Sequence, residues 1–469
     1  MSDPRDIISN GSMTALQIVV VALTIGLNAL DGFDVMSISF ASPGIAAEWG
    51  IDRAALGIVL SMELIGMCFG SILLGGLADN IGRRPTILGC LVVMTAGMFL
   101  ATTSSNTVQL SIWRIITGLG IGGMLAAINA TVAEFSNQKR KHLNVSLMAI
   151  GYPVGAVIGG LITARLLGQF DWRSVFYFGS LVTLIFIPLI YFFVPESIHW
   201  LTRKQPQGAL EKINRILNRL GKQSVSALPQ IQANVRNRSV SDLFSNRLIA
   251  TTLIVTAAYF FHITTFYFPI KWVPKIVVDM GFAPSSAANV LVWLNVGGAL
   301  GGALFGLLTL RVSVKALTIV TLLMSFGAVT WFGQSKADLT ALAMVCAVTG
   351  FCTNAAIVGL YAIFAHAFPT HVRAFGTGFA IGIGRGGSVL APIIAGFLFE
   401  AGYELSSVGL FLAFGSLIAA IVLIFLKLVS HEGSDEQEKE AMDEAMTAEV
   451  GSSNYAKQAA GNTAQMEGT

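Results

Sequence analysis

Asp31 and Asp34 stand three residues apart in Asp31-Gly32-Phe33-Asp34, within an otherwise apolar run. At that spacing they share one face of a helix. Two carboxylates so placed repel when both are ionised, so one is suited to take up and release a proton near neutral pH. The alternative is that the run ends early and both acids face outside water; the run's continuation from Val35 to Phe40 speaks against it. Arg385 lies in Gly384-Arg385-Gly386-Gly387, ten residues into another apolar run, which is about 15 Å deep at 1.5 Å per residue. Its guanidinium keeps its charge, and the fork matches a carboxylate bidentately. Glycines at 382, 384, 386 and 387 leave space beside it. Arg385 reads either as a receptor for a substrate carboxylate or as a structural partner of Glu63. A ligand anion competing with that acid would reconcile the two.

Further ionisable and polar groups fall in apolar runs, where each is a functional candidate because burying it is costly. Arg114 opens Arg114-Ile-Ile-Thr-Gly118-Leu-Gly120-Ile-Gly122-Gly123. This glycine spacing looks like a dinucleotide fingerprint, but without a preceding strand it reads as helix packing. Glu134 ends the same run near Lys139 and Arg140, in a gate or in a surface ion pair. His262 sits among Tyr259, Phe260, Phe261, Phe266, Tyr267 and Phe268, a stretch that suits either a ring-shaped ligand or plain helix packing. His262 itself is either a ligand donor or proton relay, or a packing histidine. Asn354 and Tyr361, with Asn129, Trp293 and Asn295, complete the polar candidates for a pocket. No nucleophile constellation, cofactor loop or metal-ligand spacing is visible, so an enzyme, a cofactor and a bound metal are not expected. Cys68, Cys90, Cys346 and Cys352 all lie in apolar runs and read as small packing residues.

The elements that must carry these groups follow from composition. Of the 469 residues, 54% are apolar and 12% charged, about half the charge of an average soluble domain. Twelve runs long enough to span a bilayer are expected, near 15–40, 54–76, 85–103, 107–133, 142–168, 173–194, 247–271, 285–310, 315–333, 338–366, 375–400 and 404–428. The fold class is therefore all-α, a polytopic membrane protein. Residues 1–14 and the linker 195–246 flank the first six spans (15–194), and 247–428 hold the second six. Arg83, Arg84, Lys139, Arg140, Lys141 and the basic linker lie on one side, which the positive-inside rule makes cytoplasmic, with both termini. Pro206 to Leu220 reads as an amphipathic helix, on the membrane surface or under the bundle. The tail 429–469 is acidic and reads as disordered. Arg140 precedes Gly151, and Arg373 precedes Gly384, by eleven residues each, which suggests two related six-span halves with the substrate between them.

Gly75-Gly76-Leu77-Ala78-Asp79-Asn80-Ile81-Gly82-Arg83-Arg84-Pro85 is a short charged turn between two such runs. It resembles the loop between the second and third helices of major facilitator superfamily transporters. The Arg114–Gly122 pattern and Pro195-Glu196-Ser197 followed by Trp200-Leu201 fit the same superfamily. Asp31-Gly32-Phe33-Asp34, with Arg373 and Arg385, resembles its aromatic acid/proton symporter branch, and the likeness covers nearly all of 15–428. The resemblance implies that Asp31 and Asp34 couple transport to protons, that Asp79 controls a conformational switch, and that Arg114 and Glu134 take part in transport. Asp79 would meet the cytoplasmic start of span eleven near 374–376 and pair with Arg140; with Arg83 and Arg373 they form the expected cytoplasmic gate, closed in the outward-open state. The expected function is proton-coupled import of an aromatic carboxylate of the benzoate, hydroxybenzoate, vanillate or protocatechuate class, by a monomer in a bacterial-type inner membrane. Its partners are then an organic anion, protons and lipid, with no nucleic acid. Another organic acid such as muconate, or drug/proton antiport, is the alternative.

Overall fold

The computed structural model describes residues 3–229, 244, 248–368 and 372–426. The side chains of residues 75, 365 and 373–375, the last range including Arg373, lie outside that description, as does the acidic tail. The chain forms α1 (Pro4–Asn10), α2 (Ala15–Trp49), α3 (Arg53–Ile81), α4 (Arg83–Thr102), α5 (Thr107–Glu134), α6 (Lys141–Leu166) and α7 (Arg173–Phe193). Two short helices follow, α8 (Ile198–Lys204) and α9 (Ala209–Arg219). Then come α10 (Ile249–Asp279), α11 (Pro284–Leu308), α12 (Val314–Gly333), α13 (Leu339–Ala367), α14 (Arg373–Glu400) and α15 (Leu405–Ile424). Among the described residues twelve helices, α2–α7 and α10–α15, are long and apolar enough to cross a membrane.

Helix ends coincide with capping residues. Thr14 and Gln17 form a capping box that opens α2, and the side chains of Asp52, Asn106 and Asp338 cap α3, α5 and α13. Two helices outrun their expected limits. α2 continues past Phe40 to Trp49, with Ser42 bonded back to the Ser39 carbonyl and Pro43 inside the helix, because both residues are buried in the bundle. α10 continues past Lys271 to Asp279 through Pro269 and Pro274. The expected charged turn at 75–85 shrinks to Gly82, with α3 running to Ile81 and α4 starting at Arg83. Gly82 has φ +111°, and a Cβ there would overlap Glu196. The Glu196 carboxylate accepts from the backbone N–H of Arg83 at 2.9 Å and of Ser197 at 2.8 Å, closing the bare start of α4. Burial raises the Glu196 carboxyl above its ordinary value, against these opposing N–H bonds.

The two six-helix halves meet unequally along their length. Toward the end that bears Arg53 and Asp279 they share one apolar core, in which Phe40, Ala41 and Phe176 pack with Phe268, Trp272 and Leu291. Toward the opposite end the buried residues form separate cores. One holds Val20, Leu91, Ile128 and Val194 of the first half, the other Val255, Leu360, Phe364 and Leu423 of the second. The polar contacts that cross between the halves run from Arg53–Asp279 (3.1 Å) through Ser61–Val389 carbonyl (2.8 Å) to Arg385–Ser71 (2.7 Å). The pair of halves is thus sealed at the Arg53 end and parted at the Arg83 end.

α1, α8 and α9 pack together at the parted end. Ile8, Ile198, Leu201, Ile213, Leu217 and Leu220 form their small core. The apolar face of α9 is therefore covered by protein rather than lipid, which resolves the two placements expected for it.

Candidate functional site

Asp31 and Asp34 sit near the middle of α2, 16 and 19 residues after Ala15, rather than in its outer half, because the helix extends nine residues beyond the expected limit. They are 2% and 0% exposed, which excludes the placement in outside water. None of their four carboxylate oxygens has a hydrogen-bond partner among the described residues. An isolated buried carboxylate is held at lower cost with its proton on. Their turn is pressed against α6, where a Cβ at Gly32 would overlap the Tyr152 carbonyl. Phe33 packs edge-on against Phe178 at 5.1 Å.

Glu63 of α3 does not pair with Arg385. It is bound by Arg114 of α5, and both side chains are fully buried. Arg114 also donates to the Asp34 carbonyl at 3.2 Å and lies over the Phe176 ring at 5.2 Å. A second cation reaches the same acid: Lys271 Nζ stands 3.8 Å from Glu63 Oε2 and donates to the Val35 carbonyl at 2.6 Å. Lys271 is fully buried and comes from the other half. The sequence reading missed it, because Pro269 and Pro274 bracket it like helix terminators. The apolar stretch Ile276-Val277-Val278 beyond it was the available signal. Arg114→Gln leaves Glu63 with Lys271 as its only cation, so a stability loss of about 3–5 kcal/mol is expected. Thermal melting of the detergent-purified protein measures it, and an unchanged melting temperature would show that Arg114 is dispensable to the fold.

Arg385 is midway along α14. Its Nη1 donates to Ser71 Oγ of α3 at 2.7 Å, and no carboxylate lies within ion-pair distance among the described residues. Tyr259 packs beside it and carries Tyr361 with it. The Tyr259 ring presses on Gly384, leaving no room for a Cβ there, and the Tyr259 and Tyr361 hydroxyls bond at 3.2 Å. Tyr259 is 2% exposed and Tyr361 44% exposed. The site thus joins an unneutralised guanidinium to phenol rings with free hydrogen-bonding capacity, at the level where the halves part.

Two expected pocket residues lie elsewhere. His262 is fully buried in the second half, with Nδ1 2.9 Å from Ser416 Oγ and Nε2 3.0 Å from the Thr353 carbonyl. Both ring nitrogens are thus used in tying α10 to α13 and α15 in this state. Asn354 donates to the Gly298 carbonyl at 2.7 Å and fastens α13 to α11. The gate residues are also redistributed. Asp79 pairs with Arg83 at 2.7 Å, and Arg83 reaches Glu134 at 3.2 Å. Arg140 is exposed and makes no ion pair among the described residues, so the expected Asp79–Arg140 pair is not formed in this state. The reason is local: Arg83 lies four residues after Asp79, across the Gly82 break between α3 and α4, and claims its carboxylate.

The family model of the Major Facilitator Superfamily matches residues 24–272 and 272–460. The chain belongs to this superfamily. It is similar to the 4-hydroxybenzoate transporter PcaK of Pseudomonas putida, 29% identical over 92% of this chain and 96% of that protein. It is likewise similar to the gallate transporter of Pseudomonas putida, 26% identical over 90% of this chain and 94% of that one. Among solved structures, a D-xylose-proton symporter shares the fold with a TM-score of 0.68, at 17% identity over 89% of this chain and 99% of that one. These matches are to transporters, not to enzymes, and the twelve-helix, two-half architecture read from the sequence is the architecture of this superfamily.

Proposed function

We propose that this chain is a proton-coupled symporter that imports an aromatic carboxylate of the benzoate, hydroxybenzoate, vanillate or protocatechuate class by alternating access. The carrying observation is Arg385, a mid-depth cation whose only bonded partner among the described residues is the neutral Ser71 hydroxyl. A buried charge without an acid is costly, and a ligand carboxylate supplies one. The tyrosines beside it offer faces for stacking and hydroxyls for ring substituents. A cationic drug would be repelled from the same place, which disfavours antiport of cations. The relatives that carry 4-hydroxybenzoate and gallate support the ring acid.

In this reading the basic Arg83 end is cytoplasmic, both termini lie on that side of a bacterial-type inner membrane, and the arrangement described is inward-open. The Asp79–Arg83–Glu134 group would exchange partners with the start of α14 when that side closes. All the groups invoked come from one chain, so a monomer is the working unit. The charges between the halves also suggest a ratio. With both aspartates deprotonated, Asp31, Asp34 and Glu63 balance Arg114, Lys271 and Arg385. A bound monoanion adds one negative charge, which one proton neutralises, so the transfer is electroneutral.

Uptake of labelled benzoate, 4-hydroxybenzoate, vanillate, protocatechuate and gallate into cells expressing the chain tests this reading. Accumulation of at least one is expected, abolished by a protonophore but insensitive to membrane potential at constant pH gradient. Failure to transport any carboxylate, with expression confirmed, would overturn it; potential-dependent uptake would overturn the ratio.

A further inference from the structure

Lys271 is the one cation of the Glu63 cluster that belongs to the second half; Glu63, Arg114 and the Asp31–Asp34 turn all belong to the first. Its ammonium bonds to the Val35 carbonyl, in the backbone immediately after Asp34, and faces Glu63 at 3.8 Å. Arg114 and Lys271 thus both face Glu63 and bond the successive backbone carbonyls of Asp34 and Val35, on the helix that carries the partnerless carboxyl groups of Asp31 and Asp34. Other ionisable groups on the helices around α10 are remote or uncharged. Arg385 of α14 bonds Ser71, eight residues beyond Glu63 on α3, about 12 Å away along that helix. Tyr361 of α13 and Tyr152 of α6 are phenols, and α11 and α15 have no ionisable side chain.

We propose that Lys271 is the positioning residue that couples proton release to closure of the outer gate, acting as a movable counter-charge. This rests on the reading of the chain as an inward-open symporter. When the halves part at the Arg53 end, Lys271 withdraws with α10, while Arg114 stays with Glu63. The first half then holds three acids against one fixed cation, and a carboxylate of the Asp31–Asp34 pair takes a proton from outside. When the end reseals, the ammonium returns. A cation beside a carboxylate favours its ionised form, so the proton leaves toward the parted inner side. No covalent bond changes: one proton moves from outside water to a carboxylate oxygen and then to inside water.

The test uses purified full-length protein in liposomes, with labelled benzoate, 4-hydroxybenzoate and gallate as probes. Two processes are compared, accumulation driven by a pH gradient and substrate exchange without a gradient, in wild type, Lys271→Gln and Lys271→Arg. Lys271→Gln is expected to lower accumulation at least tenfold more than exchange, and to move the pH midpoint of exchange upward by about one unit. Lys271→Arg is expected to restore both toward wild type. A structural role would lower the two processes together. Equal losses in both processes, or full gradient-driven accumulation by Lys271→Gln, would overturn the proposal. Wild-type protein that carries none of the probes would remove the symporter reading and this proposal with it. Wild-type transport with a normally coupled Lys271→Gln would remove the proposal alone.

Discussion

Asp31→Asn and Asp34→Asn are each expected to collapse gradient-driven accumulation to equality between inside and outside. A two-unit pH gradient is worth about 2.7 kcal/mol, enough at one proton per molecule to hold a roughly 100-fold substrate gradient. The amide keeps the shape of the carboxyl and cannot carry a proton through a cycle, so the whole driving force is lost. The fold should survive, because none of the four oxygens holds a hydrogen bond whose loss would strand a partner. The measurement is the steady-state inside-to-outside ratio of labelled substrate, with the membrane content of each variant checked by immunoblot. A ratio near the wild-type value in both variants would remove the pair from the mechanism. Arg114, which holds Glu63, also donates to the Asp34 carbonyl, so the pair stands beside the buried ion cluster.

The second large effect is at Arg385. Arg385→Lys keeps the charge but loses the fork, and the carboxylate of a substrate should bind more than tenfold more weakly, about 1.4 kcal/mol or more. Arg385→Ala also removes the charge and should cost about 2–5 kcal/mol of affinity, as when one partner of a buried pair is truncated. Binding of labelled substrate to detergent-purified protein reads both directly. Unchanged affinity in Arg385→Lys would assign the residue to structure. Stability should move little in either variant, because the side chain bonds only the Ser71 hydroxyl among the described residues. This contrasts with Arg114, whose loss takes from a buried acid the nearer of its two cations. The two arginines look alike in sequence, each an isolated cation in a glycine-rich span, and differ because buried Glu63 meets Arg114 while no carboxylate among the described residues comes within ion-pair distance of Arg385.

Much of the architecture is legible in the residue order. An apolar run of twenty residues has few options besides spanning a bilayer, so the twelve helices and their order follow from hydropathy. Buried charge is costly enough that Asp31, Asp34, Glu63, Arg114 and Arg385 stand out as candidates without any coordinates. Where the reading failed, local signals competed with packing. The expected limits at Phe40 and Lys271 fall beside Pro43 and between Pro269 and Pro274, yet these prolines are buried inside the bundle, so α2 and α10 run on and carry Lys271 inward. His262 stood among aromatic rings like a ligand group, but Ser416 and Thr353, 154 and 91 residues away, occupy both its nitrogens.

The sequence by itself determined the twelve spans, the two halves and the presence of acids and an arginine within the apolar spans, because hydropathy and the cost of burying charge act residue by residue. Tertiary structure alone decided which charges meet. Glu63 goes to Arg114 and Lys271, Arg83 takes Asp79, and Arg385 is left with a hydroxyl. It also decided that the halves are sealed at the Arg53 end and parted at the other. Pairing and gating depend on contacts between helices far apart in the chain, and these change between the states of one transport cycle while the sequence stays the same.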